Sequence, residues 1–195
     1  MLVINDICAA LDRAGIEGGR FTPDSSHAAV AMILCPGPHE LEMCFIRRAE
    51  KVGDRWSGQV ALPGGRASAG DADAPAVAER ETHEEIGLAL RRAQRIGALP
   101  EVVIDRSARG LRLSPFVYHL NSRPSSLRAN EEVAAIFWVP LSHLFAQENT
   151  TELEWGGSGS YPGIQFADHV IWGLTLRVLG SFAEIVGHRL PALEN

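Results

Sequence analysis

The chain has 195 residues, 46% of them hydrophobic and 22% charged, which is too apolar for a disordered chain and ordinary for one globular domain with a substantial core. Its formal net charge of −6 argues against a general binder of nucleic acid or anionic membrane, since neither polyanion is drawn to a mildly acidic surface. Three cysteines (Cys8, Cys35 and Cys44) without C-x-x-C spacing read as core residues in a reducing compartment. The start, Met1 to Asp6, lacks the basic, apolar character of a signal peptide, and no apolar run approaches the ~20 residues of a membrane span. A cytoplasmic protein with a small-molecule partner is expected.

In chain order, residues 1–20 predict an amphipathic helix, with Val3, Ile4, Ile7, Cys8 and Leu11 at helical spacing and Gly18-Gly19 as its stop. Strands follow at Ala28 to Cys35 and Leu41 to Arg47, joined as a hairpin across Pro36-Gly37-Pro38, and a short one at Val60 to Leu62. A helix is predicted from Asp71 to Gly87, with Ala74, Ala78, Thr82 and Ile86 on one stripe. Further strands are read at Ala93 to Ile104, Leu111 to Leu120 and Val133 to Val139. A short helix after Pro140, a glycine-rich excursion at Gly156 to Gly163 and a long helix from Val170 to Val186 complete the chain. The pattern predicts an α/β protein, a mixed central sheet between helices, with residues 1–26 as a leading helix and linker and 27–190 as the domain proper.

On the predicted 71–87 helix, Glu81, Glu84 and Glu85 fall in one sector, because positions three and four apart are surface neighbours. Glutamates on a helix are usually a solvated face. Here an arginine precedes the first, a Gly-Gly turn lies upstream and a glycine follows the last apolar residue. Three crowded carboxylates call for a cation, and oxygen ligands favour Mg²⁺ or Mn²⁺.

The run Arg80-Glu81-Thr82-His83-Glu84-Glu85-Ile86-Gly87-Leu88 resembles the second half of the Nudix hydrolase box, G-x5-E-x7-R-E-U-x-E-E-x-G-U, where U is apolar. Thr82 stands at the apolar position. Counted from Gly65, the arginine comes one residue late, with Asp71 and Asp73 near the place of the first glutamate. The resemblance implies a Nudix α/β/α sandwich in which Glu81 and Glu85 are the principal metal ligands and Glu84 is a third ligand or a base. It also implies that Arg80 orients the glutamates and that Gly64-Gly65 let the backbone approach the phosphates. Without the metal, the same features describe a non-catalytic nucleotide sensor of this fold, or a solvated acidic helix.

The longer box, together with Ser57-Gly58-Gln59-Val60-Ala61-Leu62-Pro63-Gly64-Gly65-Arg66, Tyr161 and Ile171-Trp172-Gly173-Leu174-Thr175, is similar to the coenzyme A pyrophosphatase branch of the family. That likeness implies cleavage of coenzyme A into 4′-phosphopantetheine and adenosine 3′,5′-bisphosphate. Where the branch carries an arginine, however, this chain has Asp54, which would repel a phosphate unless Arg55, Arg47 or Arg48 takes over. ADP-ribose, NADH or a nucleotide sugar is the alternative substrate.

Arg48, Arg55, Trp56, Gly64, Gly65, Arg66 and Tyr161 are the candidate substrate contacts, Trp56 and Tyr161 as stacking partners for a base. Glu132, before the strand ending Trp138-Val139-Pro140, is the candidate auxiliary base or ligand. Trp172 is read as an anchor of the final helix. The seven histidines show no metal-ligand spacing, His83 points away from the carboxylates, and Ser57 lacks a G-x-S-x-G context. A homodimer is the assembly considered.

Overall fold

The computed structural model describes residues 2–18, 24, 26–54, 56–90, 94–104, 110–155 and 159–194. It is an α/β/α sandwich. A mixed eight-stranded sheet is built on β1 (His27–Pro36), β2 (Leu41–Arg48) and β7 (Arg112–His119), in the order β3-β2-β1-β7-β5. β3 is Val60–Ala61 and β5 is Gln94–Ala98. β4 (Gly64–Arg66) pairs with β1, β6 (Val102–Val103) with β7, and β8 (Val133–Pro140) with β2.

β1 is apolar on both faces because both are covered. Ala28, Met32 and Leu34 belong to one core with Ile7 and Leu11 of α1 (Ile4–Ala14) and Leu176, Leu179 and Phe182 of α4 (Gly173–Ile185). The alternate residues Ala29, Ala31, Ile33 and Cys35 pack with Ala74, Val77, Ala78 and Ile86 of α2 (Ala74–Ile86). The period of two along one strand thus assigns each helix its layer.

The expected β1–β2 hairpin is present, but it pairs only at Leu34–Pro36 with Leu41–Met43. Beyond that the strands diverge, and the segment 60–66 enters the gap: β3 pairs with β2, β4 with β1, and the Ala31 amide donates to the Pro63 carbonyl at 2.8 Å. β7 lies parallel along the other edge of β1. This wedge brings Gly64 and Gly65 beside α2.

Several expected boundaries move. α1 ends at Gly15, which adopts φ 59°, and not at Gly18-Gly19, of which Gly19 lies outside the described residues. α2 starts at Ala74, because the Asp73 side chain accepts from the Ala76 amide and caps it. The 93–104 strand is two strands, β5 and β6, with Ala93 outside the described residues. The glycine-rich excursion and the start of the predicted last helix form a second sheet: β9 (Thr150–Glu154), β10 (Ser160–Phe166) and β11 (His169–Trp172), with 156–158 undescribed. α4 therefore begins at Gly173. The short helix after Pro140 is present as α3 (Leu141–Leu144).

Thr82 is fully buried on α2 and its hydroxyl has no hydrogen-bond partner. An isosteric Thr82→Val removes that unsatisfied oxygen without leaving a cavity, so stability should rise by about 1 kcal/mol, roughly 2–4 °C in Tm. A thermal unfolding scan checks this, and a fall in Tm would mean that the hydroxyl is satisfied in solution.

Candidate active site

α2 carries the carboxylates into a cleft of about 520 Å³ whose floor is the 59–66 wedge and whose rim includes the 130–132 loop and the start of α4. Of the predicted residues, Glu81, Glu84, Glu85, Glu132, Arg48, Trp56, Gly64, Gly65 and Arg66 all line it. Arg55 lies outside the described residues. Tyr161 is not among the cleft residues; it packs on Trp172 in the second sheet at 5.5 Å between ring centroids, and Trp172 packs in turn on Trp155. Trp172 is half-buried in that aromatic group and immediately precedes α4, so it seats the helix from the second sheet. His83 is exposed, as its angular position on the helix predicts.

Glu85 is the deepest of the carboxylates, 2% exposed, and its Oε2 accepts from the Gly64 amide at 2.9 Å. Burial pushes its pKa up to about 8; the Gly64 amide opposes that rise, and the charge of Glu81 adds to it. Half-buried Glu81 is likewise raised, mainly by burial, with Arg80 opposing. Glu84 sits farther out, with 53% of its side chain exposed.

Arg80 organises this face. Its Nη1 donates to Glu81 Oε1 at 2.7 Å and to Glu84 Oε2 at 3.0 Å, while Nη2 donates to the Arg66 carbonyl. On its other side Nε and Nη2 donate to the two oxygens of Asp71, at 2.8 and 2.9 Å. Asp71 is nearly buried, also accepts from the Ser68 amide, and is held below the usual carboxylate range chiefly by Arg80. Asp71 was not among the predicted site residues, although the spacing had placed it near the box's first acidic position. The bidentate geometry fixes the guanidinium, which in turn fixes two of the three glutamates.

Glu132 arrives from a distant part of the chain. The amides of Arg128 and Asn130 donate to the carbonyls of Ile86 and Glu85 at the end of α2, and the Asn130 side chain accepts from the Glu132 amide. The Glu132 carbonyl then accepts from the Ala49 amide, next to Arg48. Glu132 is near enough to the α2 carboxylates for its charge to raise the pKa values of Glu81 and Glu85. Across the cleft, Leu174 and Thr175 form part of the wall, and the buried Thr175 hydroxyl donates to the Val60 carbonyl at 2.9 Å. Both belong to the 171–175 segment on which the family resemblance rests, and nothing in their local spacing marks them as cleft residues.

Asp54 is paired with the cleft arginine: Arg48 Nη2 donates to Asp54 Oδ2 at 2.8 Å, and the Trp56 amide donates to Oδ1 at 3.0 Å. These two contacts, the amide first, hold the Asp54 carboxyl below its usual range.

Among the described residues no three His, Cys, Asp or Glu side chains are gathered into a ready-made cation cage. The donor set nevertheless suits a hard cation: four carboxylates share one cleft, and two of them are desolvated, with raised pKa values that a positive charge would reverse.

The chain belongs to the Nudix hydrolases, a family of enzymes that generally use divalent metal ions: the NUDIX domain model matches residues 25–156. Its relatives include the mitochondrial coenzyme A diphosphatase NUDT8 of Homo sapiens, 35% identical over 80% of this chain and 67% of that protein. The uncharacterized Nudix hydrolase NudL of Photorhabdus laumondii is 32% identical over 86% of this chain and 88% of its own length. The fold is also that of a MutT/nudix family protein from Enterococcus faecalis, with TM-score 0.57 at 17% identity over 99% of this chain and 74% of that one.

Proposed function

We propose that the protein hydrolyses the diphosphate linkage of coenzyme A or a related nucleoside diphosphate derivative, with Mg²⁺ or Mn²⁺ held by Glu81, Glu84 and Glu85. The observation that carries this reading is the set of four carboxylates turned into a cleft that also contains Arg48 and Arg66. A bound divalent cation would neutralise diphosphate charge and lower the pKa of the attacking water.

The chain's own groups divide the remaining work. Arg80, fixed by Asp71, keeps Glu81 and Glu84 oriented, and the Gly64 amide keeps Glu85 oriented. Glu84 and Glu132 are the more accessible carboxylates and the ones suited to accept the proton as water adds to phosphorus and the bridging P–O bond breaks. Arg48 and Arg66 face the phosphates and Trp56 the base. Coenzyme A is favoured by the likeness to a coenzyme A diphosphatase over most of this chain. The Arg48–Asp54 pair favours derivatives such as ADP-ribose or NADH, because it occupies a cation that a further phosphate would use. Two buried thiols, Cys35 and Cys44, suit the reducing cytoplasmic setting expected from the sequence. No described helix is long and apolar enough to cross a membrane.

The test is a hydrolysis screen with Mg²⁺ and Mn²⁺ over coenzyme A, ADP-ribose, NADH, dinucleoside polyphosphates and nucleoside triphosphates. Diphosphate-linked compounds, coenzyme A among them, should be cleaved fastest. A strong preference for a triphosphate, or no cleavage with either metal, would overturn the reading.

A further inference from the structure

The cleft does not end at Arg48. That residue, Trp56 and Glu132 also line a second, adjoining cavity of about 660 Å³ formed by the 48–54 loop and the residues before β8. The two cavities share these three side chains as a partition, so a substrate whose diphosphate sits by the α2 carboxylates would extend one of its two halves past Arg48 into the second chamber. Among the described residues, that chamber sets four carboxylates (Glu50, Asp54, Glu131 and Glu132) against two cations, Arg48 and Lys51. Asp54 already offsets part of the Arg48 charge: Arg48 Nη2 donates to Asp54 at 2.8 Å, and Asp54 is itself held by the Trp56 amide.

We propose that Asp54 is a specificity-determining residue: by holding Arg48 at the junction of the two cavities, it selects substrates whose second half carries no phosphomonoester beyond the diphosphate. Among the described residues a dianionic phosphate entering this chamber meets an excess of negative charge, and at Arg48 it must compete with a carboxylate already bonded to Nη2. A hydroxyl in the same place meets acceptors it can donate to. The inference rests on the proposed diphosphate hydrolysis and narrows its substrate class to the unphosphorylated member of each pair, dephospho-coenzyme A over coenzyme A and NADH over NADPH.

The experiment compares kcat/KM within those two pairs for the wild type, Asp54→Asn, Asp54→Ser, and Asp54→Asn in an Arg48→Ala background. Asp54→Asn keeps an acceptor for the Trp56 amide while removing the charge, and thermal unfolding verifies that each variant folds. The wild type should favour the unphosphorylated member, and Asp54→Asn and Asp54→Ser should shift the ratio roughly tenfold toward the phosphorylated one. The shift should vanish without Arg48, because it acts through that side chain. An unchanged ratio in both Asp54 variants, or a wild-type preference for the phosphorylated member, overturns the proposal.

Should neither pair be hydrolysed, the proposed activity on those substrates fails by itself. The same ratio is then read from calorimetric binding of AMP and adenosine 3′,5′-bisphosphate, and an unchanged ratio there overturns the role of Asp54.

Discussion

Glu85→Gln should abolish most of the activity while making the cation-free protein more stable at neutral pH. The amide keeps the shape of the side chain and an acceptor for the Gly64 amide, so the fold has no reason to move. What disappears is the most buried carboxylate of the cleft, which a bound cation would hold in its ionised form. Removing a single electrostatic contribution of this kind costs roughly 3–4 kcal/mol in the transition state, about 10²–10³-fold in rate. The stability effect has the opposite sign. Burial raises the Glu85 pKa from 4.5 to about 8, so between these values the native state keeps a proton that the unfolded chain gives up. Wild-type stability in EDTA should therefore fall as pH rises through that window, and the slope should flatten in Glu85→Gln. Mg²⁺ or Mn²⁺ should restore the wild type at pH 8 and do less for the variant. Kinetics and thermal unfolding at pH 5 and 8 read both effects; identical pH slopes in the two proteins would remove Glu85 as the desolvated carboxylate proposed to hold the cation.

The second large effect is on the fold. Gly64 has φ 148°, a conformation that side chains rarely adopt, and a Cβ there would overlap the Ala29 carbonyl oxygen and approach Val30 Cα to 2.6 Å. Both obstacles are in β1, the central strand, which cannot yield without disturbing β7. Gly64→Ala should cost about 3 kcal/mol or more, roughly 6–12 °C in Tm. Its neighbour fails differently. A Cβ on Gly65 would stand 2.5 Å from the Glu81 carboxyl carbon, so the displaced group is a proposed metal ligand and not the sheet. Gly65→Ala should thus lose more activity than stability, and Gly64→Ala both. Comparable Tm losses in the two variants would contradict this division.

The α2 carboxylates were legible in the sequence because their chemistry depends on local spacing: Glu81, Glu84 and Glu85 share a helix face wherever that helix packs. Arg48 and Glu132 could be named as candidates, but their partners could not. The Arg48–Asp54 bond spans a loop, and Glu132 is positioned by amides bonded to the end of α2, contacts with no periodic signature. The second sheet was hidden for another reason. Its strands carry Pro162, Gly163 and several polar residues, so they read as loop, and Val170-Ile171-Trp172 merged with the apolar start of α4. That sheet in turn draws Tyr161 to Trp172, a pairing that single-residue reasoning about stacking could not anticipate.

The Thr175–Val60 bond joins positions 115 residues apart, whereas the contacts between α2 and its flanking wedge close over about twenty. Closing the longer loop costs more chain entropy, and contacts of high sequence separation form late. As the chain folds, the carboxylate helix should therefore dock onto the glycine wedge before the far wall of the cleft exists. A kinetic experiment would see this order as early protection of the Gly64 amide from hydrogen exchange, followed by slower protection around Val60 and α4. The last event in building the enzyme would then be the one that encloses its substrate.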